Sequence, residues 1–147
     1  MADDPRAVAW RPFVETTARL HAMLDDDLKS SSGMSMSDYS ILLLLHEAPG
    51  GRLRMREIAD AMVFSTSRLS YQIDTMCRNG WLRRERASED RRGSYAVLTD
   101  DGRAAFEKAA IQHADCVRRI YFEALAPEDG IALQRIMSRL AHRLADR

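Results

Sequence analysis

Between residues 52 and 92 the chain carries ten basic and six acidic residues, and all ten basic residues are arginine. That segment has a net charge of +4, residues 1–51 have −4, residues 93–147 are neutral, and the 147-residue chain sums to zero. Global charge therefore says nothing about a nucleic-acid partner, whereas the middle of the chain is where a phosphate backbone can be met. Lysine is scarce throughout, so the placement of the arginines carries more than their number. Arginine offers a planar fork of donors that fits phosphates and guanine edges. One group of candidates is Ser65, Thr66, Ser67, Arg68, Ser70, Tyr71 and Gln72. Its hydroxyls suit phosphates, and its Arg and Gln suit base edges. A second group is Arg83, Arg84, Arg86, Arg91 and Arg92. An arginine at a hairpin tip can enter a narrow minor groove, where the potential is most negative.

Other chemistries find less support. Cys77 and Cys116 cannot build a disulfide framework, and a peroxide sensor needs an exposed thiol of low pKa. His113 and Cys116 stand three apart on one helix face, and with His21 and His46 they form the only candidate metal set. Zinc wants four ligands, or three and a water. Neither a nucleophile–base pair, paired carboxylates, a glycine-rich phosphate loop nor an HExxH motif is present, so the sequence does not read as an enzyme, and no cofactor is implied. With 46% hydrophobic and 30% charged residues it reads as one soluble globular domain over 1–147. The longest apolar run, Ile41 to Leu45, is far too short to span a bilayer, and the acidic start lacks an apolar leader. The expected location is the cytoplasm, with no membrane partner.

The elements that must position these residues follow from periodicity. Trp10, Phe13, Thr17, Leu20, Leu24 and Leu28 make one face of a helix over about 7–29, which Ser30 to Gly33 breaks. Ser37 caps a second helix through Ile41–Leu45, ended by Pro49-Gly50-Gly51. A short helix over 55–62, with Met55, Ile58, Ala59 and Met62 inward, is joined through Val63-Phe64-Ser65 to a helix over 66–79. Ser65 caps that helix, Leu69, Ile73 and Met76 form its inward face, and Asn79-Gly80 ends it. Two such helices on a tight turn suggest a helix-turn-helix, whose second helix enters the major groove by its N-terminal half. Strands over 81–86 and 94–98 make a hairpin with a basic tip. Thr99 caps a helix to about 126, and Pro127 opens the last one, with an apolar stripe of Leu133, Ile136, Met137, Leu140 and Leu144.

The fold class is therefore mainly α with a small β-hairpin wing. A winged helix-turn-helix occupies 37–99, and helices at 7–29 and 100–147 form a dimerisation region. A single winged helix cannot cover the terminal stripes, so Phe13, Leu20, Ile120, Leu133, Ile136, Leu140 and Leu144 are expected to be buried across a two-fold axis. The alternative is a monomer whose terminal helices fold back on the core.

The strings NGWLRRE, EDRRG and LTDDGR, in this order and spacing between residues 55 and 103, resemble the MarR family of winged-helix transcription regulators. The flanking helices fit that family's architecture over essentially the whole chain. The resemblance implies a dimeric DNA-binding repressor whose affinity is changed by a small molecule, or in some branches by oxidation or a metal. It implies that Asp90 fixes the wing tip by pairing with an arginine while Arg92 enters the groove. It also implies an effector pocket where the dimerisation helices meet the winged helix, with Trp10, Phe13, His21, His46 and His113 on helices that could line it. Many members have Thr-Arg where this chain has Ser70-Tyr71, which leaves the operator open and lets Arg68 supply the missing contact. The peroxide-sensing branch carries its cysteine in the first helix, where this chain has none. The expected partners are double-stranded DNA, a second copy of the chain and a small-molecule effector. A winged-helix module that binds protein is the reading from another class. The polar, arginine-bearing face of the second helix argues against it, because protein-binding faces show apolar anchors.

Overall fold

A computed structural model describes residues 4–88 and 93–145. Asp90, Arg91 and Arg92 thus lie outside the described residues. The chain divides into two compact units that meet in sequence at His113–Ala114.

In the first unit, α1 (Pro5–Ser32) is longer than its apolar periodicity predicts. The serines do not break it. Ser30 and Ser32 turn their hydroxyls back to the carbonyls of Asp27 and Leu28, and the stop is Gly33 at φ 73°. α2 (Met36–Glu47) is capped by Ser35 rather than Ser37. The Ser35 Oγ accepts from Asp38 N–H, and the Asp38 carboxylate accepts from Ser35 N–H, a reciprocal capping box. Ile41, Leu42 and Leu45 are fully buried and Leu43 and Leu44 half-buried, so α2 is apolar nearly all round, as a central helix must be.

Strand β1 (Arg52–Arg54) has no counterpart in the sequence reading. With three residues and two arginines it shows too little alternation to register; pairing with a distant strand creates it. α3 (Met55–Met62) and α4 (Thr66–Arg78) form the helix-turn-helix. Ile58 of α3 and Leu69, Ile73 and Met76 of α4 join Leu28 and the α2 leucines in one core. Each such side chain contributes about 1.5–3 kcal/mol on burial.

β2 (Leu82–Arg86) and β3 (Ser94–Leu98) complete an antiparallel sheet of order β1-β3-β2. Leu82 pairs with Leu98, and Ala96 with both Leu53 and Arg84, so these residues share the face toward the core. Arg83 and Arg52 pair with Val97, and Glu85 and Arg54 with Tyr95, on the other face. α5 (Asp100–Val117) starts from Thr99, whose Oγ1 accepts from Gly102 N–H.

In the second unit, the helix expected to run to about 126 departs from α geometry. Residues Arg118–Phe122 form a π-helical turn, closed by Glu123 N–H on the Arg118 carbonyl. Branched and aromatic residues at Ile120, Tyr121 and Phe122 favour an α-helix weakly. α6 (Pro127–Ala145) opens at Pro127 as its sequence predicts, with Asp129 accepting from Ala126 N–H.

Candidate nucleic-acid interface

The turn between α3 and α4 is tight because Val63 takes a left-handed conformation, φ 54° and ψ 42°. A β-branched residue rarely adopts it. Here Val63 N–H reaches the Asp60 carbonyl and Phe64 N–H the Ala59 carbonyl, which reverses the chain within three residues. Ser65 then caps α4, its Oγ accepting from Arg68 N–H at 3.3 Å.

With Leu69, Ile73 and Met76 committed to the core, the 3.6-residue period turns Ser67, Arg68 and Tyr71 to the outer side of α4, while Thr66, three residues before Leu69, is open because it starts the helix. All four are exposed, Tyr71 at 72%. The Arg68 guanidinium lies 3.9 Å from the centre of the Phe64 ring, a cation–π contact that holds it beside the helix start. These groups and the free N–H groups of the helix N-terminus form a surface suited to a phosphate backbone and base edges.

Gln72 and Arg84 are placed differently. Gln72 turns inward, and its Nε2 donates to Asp38 Oδ1 at 2.5 Å. Arg84, on the core-side face of the sheet, reaches across to α4. It donates to Ser70 Oγ at 2.9 Å and to the Ser70 carbonyl at 3.2 Å, and pairs with Asp74 at 2.9 Å. It braces the wing against the recognition helix and occupies the hydroxyl of Ser70. Arg86 is exposed at the end of β2. Arg83, one residue from Arg84, faces the opposite way and pairs with Glu85, which also lies 3.7 Å from Arg52. Arg52 and Arg54 stack on Tyr95 at 3.9 and 5.1 Å.

Between α3, α4 and the loop end of the hairpin, at Gly93 and Ser94, lies a cleft of about 690 Å³. Met55, Phe64 and Leu69 make it apolar, and Arg54, Arg56 and Arg84 make it cationic. Sequence reasoning missed Arg54 and Arg56, whose positions depend on β1.

The residues expected at an effector pocket lie apart from this cleft. His46, Phe106, Tyr39 and His113 form a ladder of rings with centroids 4.8, 5.2 and 4.6 Å apart. Arg103 lies 3.2 Å from His46 Nδ1. His113 Nδ1 is buried with no hydrogen-bond partner among the described residues, and burial pushes its pKa down against the pull of Asp27. Trp10 is 66% exposed and packs on Phe13 6.3 Å away, and His21 is exposed. Among the described residues no three His, Cys, Asp or Glu side chains are grouped to hold a metal ion. Burial pushes the Cys77 thiol up, more than Arg84 lowers it, and Cys116 is buried; neither has the electropositive, exposed setting of a redox sensor. No described helix is long and apolar enough to cross a membrane.

Comparison with known proteins agrees with this geometry. A MarR family model matches residues 32–93. The crystal structure of AbsC, a MarR family transcriptional regulator from Streptomyces coelicolor, superposes with a TM-score of 0.91 at 40% identity, over 98% of this chain and 97% of AbsC. Sco3205, another MarR family regulator from that organism, crystallised in complex with DNA, gives 0.90 at 38%, over 94% of this chain and 87% of Sco3205. The HTH-type transcriptional regulator YkoM of Bacillus subtilis is 31% identical over 97 residues, which are 66% of this chain and 61% of YkoM. With the capped helix-turn-helix and the paired hairpin strands in place, the chain belongs to the MarR family of DNA-binding transcriptional regulators.

Proposed function

We propose that the protein is a cytoplasmic, ligand-responsive repressor that binds a pseudo-palindromic operator as a homodimer, and that it is not an enzyme. The observation that supports this most is the outer side of α4. Ser67, Arg68 and Tyr71 stand exposed there, with Thr66 open at the first turn, beside an arginine-bearing strand. They carry the donors that read a major groove, and the DNA complex of the similar Sco3205 supports the same use. Arg68 and Tyr71 read bases, while Ser65, Thr66 and Ser67 hold phosphates near the helix N-terminus. Ser70 and Arg84 set the distance between recognition helix and wing, and Arg86, with Arg91 and Arg92 that follow it in the sequence, supplies charge for the flanking minor groove.

The dimer is supported by the apolar residues that the chain leaves open. Ile136 and Leu140 are 42% exposed and Leu144 68%, and no residue of α6 is buried. Phe13, on α1, is 36% exposed. Paired helices would present two α4 segments to half-sites about one helical turn, ~10 bp, apart. An effector at the ring ladder of His46, Phe106, Tyr39 and His113 would change that spacing. A coupling of ~1–3 kcal/mol weakens operator binding some 5- to 150-fold.

Selection of genomic fragments by the purified protein, near physiological salt, tests this reading. An enriched pseudo-palindrome is the expected result; fragments no better bound than random DNA would overturn it. Arg92→Ala should then weaken binding to the enriched fragment and reduce the salt slope by about one. An unchanged slope would remove Arg92 from the interface.

A further inference from the structure

Among the described residues Asp38 is the one buried charged side chain, 8% exposed. A buried carboxylate is costly unless its oxygens are filled by donors. Here Oδ2 accepts from Ser35 N–H at 2.9 Å and from Ser35 Oγ–H at 2.8 Å. Oδ1 accepts from Gln72 Nε2 at 2.5 Å, across 34 residues of sequence. Capping α2 uses only the first oxygen. The second ties the start of α2 to the recognition helix.

The anchor is itself held in place. Met36 N–H donates to Asp25 Oδ1 of α1 at 2.7 Å, and Asp25 pairs with Lys29 at 2.6 Å. The first turn of α2 is thus gripped by α1 on one side and grips α4 on the other. Gln72 stands between Tyr71, on the outer side of α4, and Ile73, in the core. The angle at which α4 presents Arg68 and Tyr71 therefore depends on where Gln72 is held.

We infer that Asp38 is a positioning residue: through Gln72 its carboxylate fixes the orientation in which the recognition helix reads an operator. The inference rests on the regulator reading above. It assigns Gln72 to a strut inside the protein, where the sequence alone suggests a base reader.

Four full-length chains test it: wild type, Asp38→Asn, Gln72→Glu and the double variant. Each is titrated against the genomic duplex enriched by the wild type and against a random duplex of equal length. The readout is the ratio of the two affinities. A change of net charge acts on both duplexes alike and cancels in the ratio. Asp38→Asn should leave the ratio within about 3-fold, because the new amide still accepts from Ser35 and its nitrogen donates to a flipped Gln72. Gln72→Glu sets two carboxylates against each other and should lower the ratio ~10-fold or more. The double variant should restore it to within about 3-fold, because the amide now at position 38 donates to the carboxylate now at position 72. Gln72→Met deletes the strut without adding a charge. It should lower the ratio with the helical circular dichroism unchanged, which covers the case in which Gln72→Glu does not fold.

An unchanged ratio in Gln72→Met overturns the inference. So does a loss in Gln72→Glu that the double variant fails to recover, which would make Gln72 a base reader. A wild type with no preference between the duplexes fails at the regulator reading itself, before any variant is compared.

Discussion

Neighbouring residues of one type do different work here, and the pleat decides which. Arg83 and Arg84 are adjacent, but successive strand residues face opposite sides. Arg83 therefore meets Glu85 on the outer face, and Arg84 meets Ser70 and Asp74. Alternation is legible in the sequence; what lies opposite each face is not. Two predictions belong to single side chains. Val63 is 90% exposed and left-handed, so it has strain and no packing to lose. Val63→Gly should raise stability by ~1 kcal/mol in denaturant titration. His113 is held neutral by burial. Its folded pKa lies below its unfolded one, so the unfolded chain takes up the proton first and stability is lost as pH falls below the usual histidine value. His113→Phe keeps a ring beside Tyr39 and cannot titrate. The loss of stability between about pH 7 and pH 5 should be smaller in this variant than in the wild type. Equal slopes would mean that other groups set the acid sensitivity.

Elements that end or begin on local signals are legible from sequence. Ser65 caps α4, Thr99 caps α5, Pro127 opens α6, and α3 spans 55–62 as its apolar spacing predicts. Elements that depend on a distant partner are not, and β1 exists only because β3 lies beside it. The cap of α2 falls between: the sequence points to Ser37, and the structure uses Ser35, two residues earlier. Asp38, three residues after Ser35, completes the box. The LTDDGR string also gains a reason. Thr99 Oγ1 donates to the Gly80 carbonyl at 2.6 Å, and Thr99 N–H to the Trp81 carbonyl at 3.1 Å. These bonds lay the first turn of α5 on the end of α4. A Cβ at Gly102 would stand 2.0 Å from the Trp81 carbonyl oxygen. Backbone cannot retreat as a side chain can, so Gly102→Ala should cost about 3 kcal/mol. Wild-type unfolding free energy in that variant would show that α5 can shift without loss.

For the molecule as a whole, the homodimer proposed above rests on the apolar residues left open on α1 and α6. Leu140→Asp puts a charge in the middle of the α6 stripe. It should raise the dimer dissociation constant at least ~100-fold, measured by sedimentation, and remove operator preference with it. A dimer of undiminished affinity would place the interface elsewhere. The aromatic ladder from His46 to His113 joins α2 to α5, a connection that periodicity locates only as a region of the fold. Trp10 and His21, named for the same region, are exposed on α1.

Local signals were enough for the helix-turn-helix, the hairpin and the family. Periodicity, caps and turn residues act within a few positions, and the motif strings lie inside those elements. That Gln72 is a strut, that Arg84 is a brace and that Arg54 and Arg56 join a cleft emerged only from the folded chain. Each of those roles is set by a partner: Asp38 stands 34 residues from Gln72, and Ser70 stands 14 from Arg84. A side chain's chemistry is written in its type, but the group it satisfies is chosen by packing.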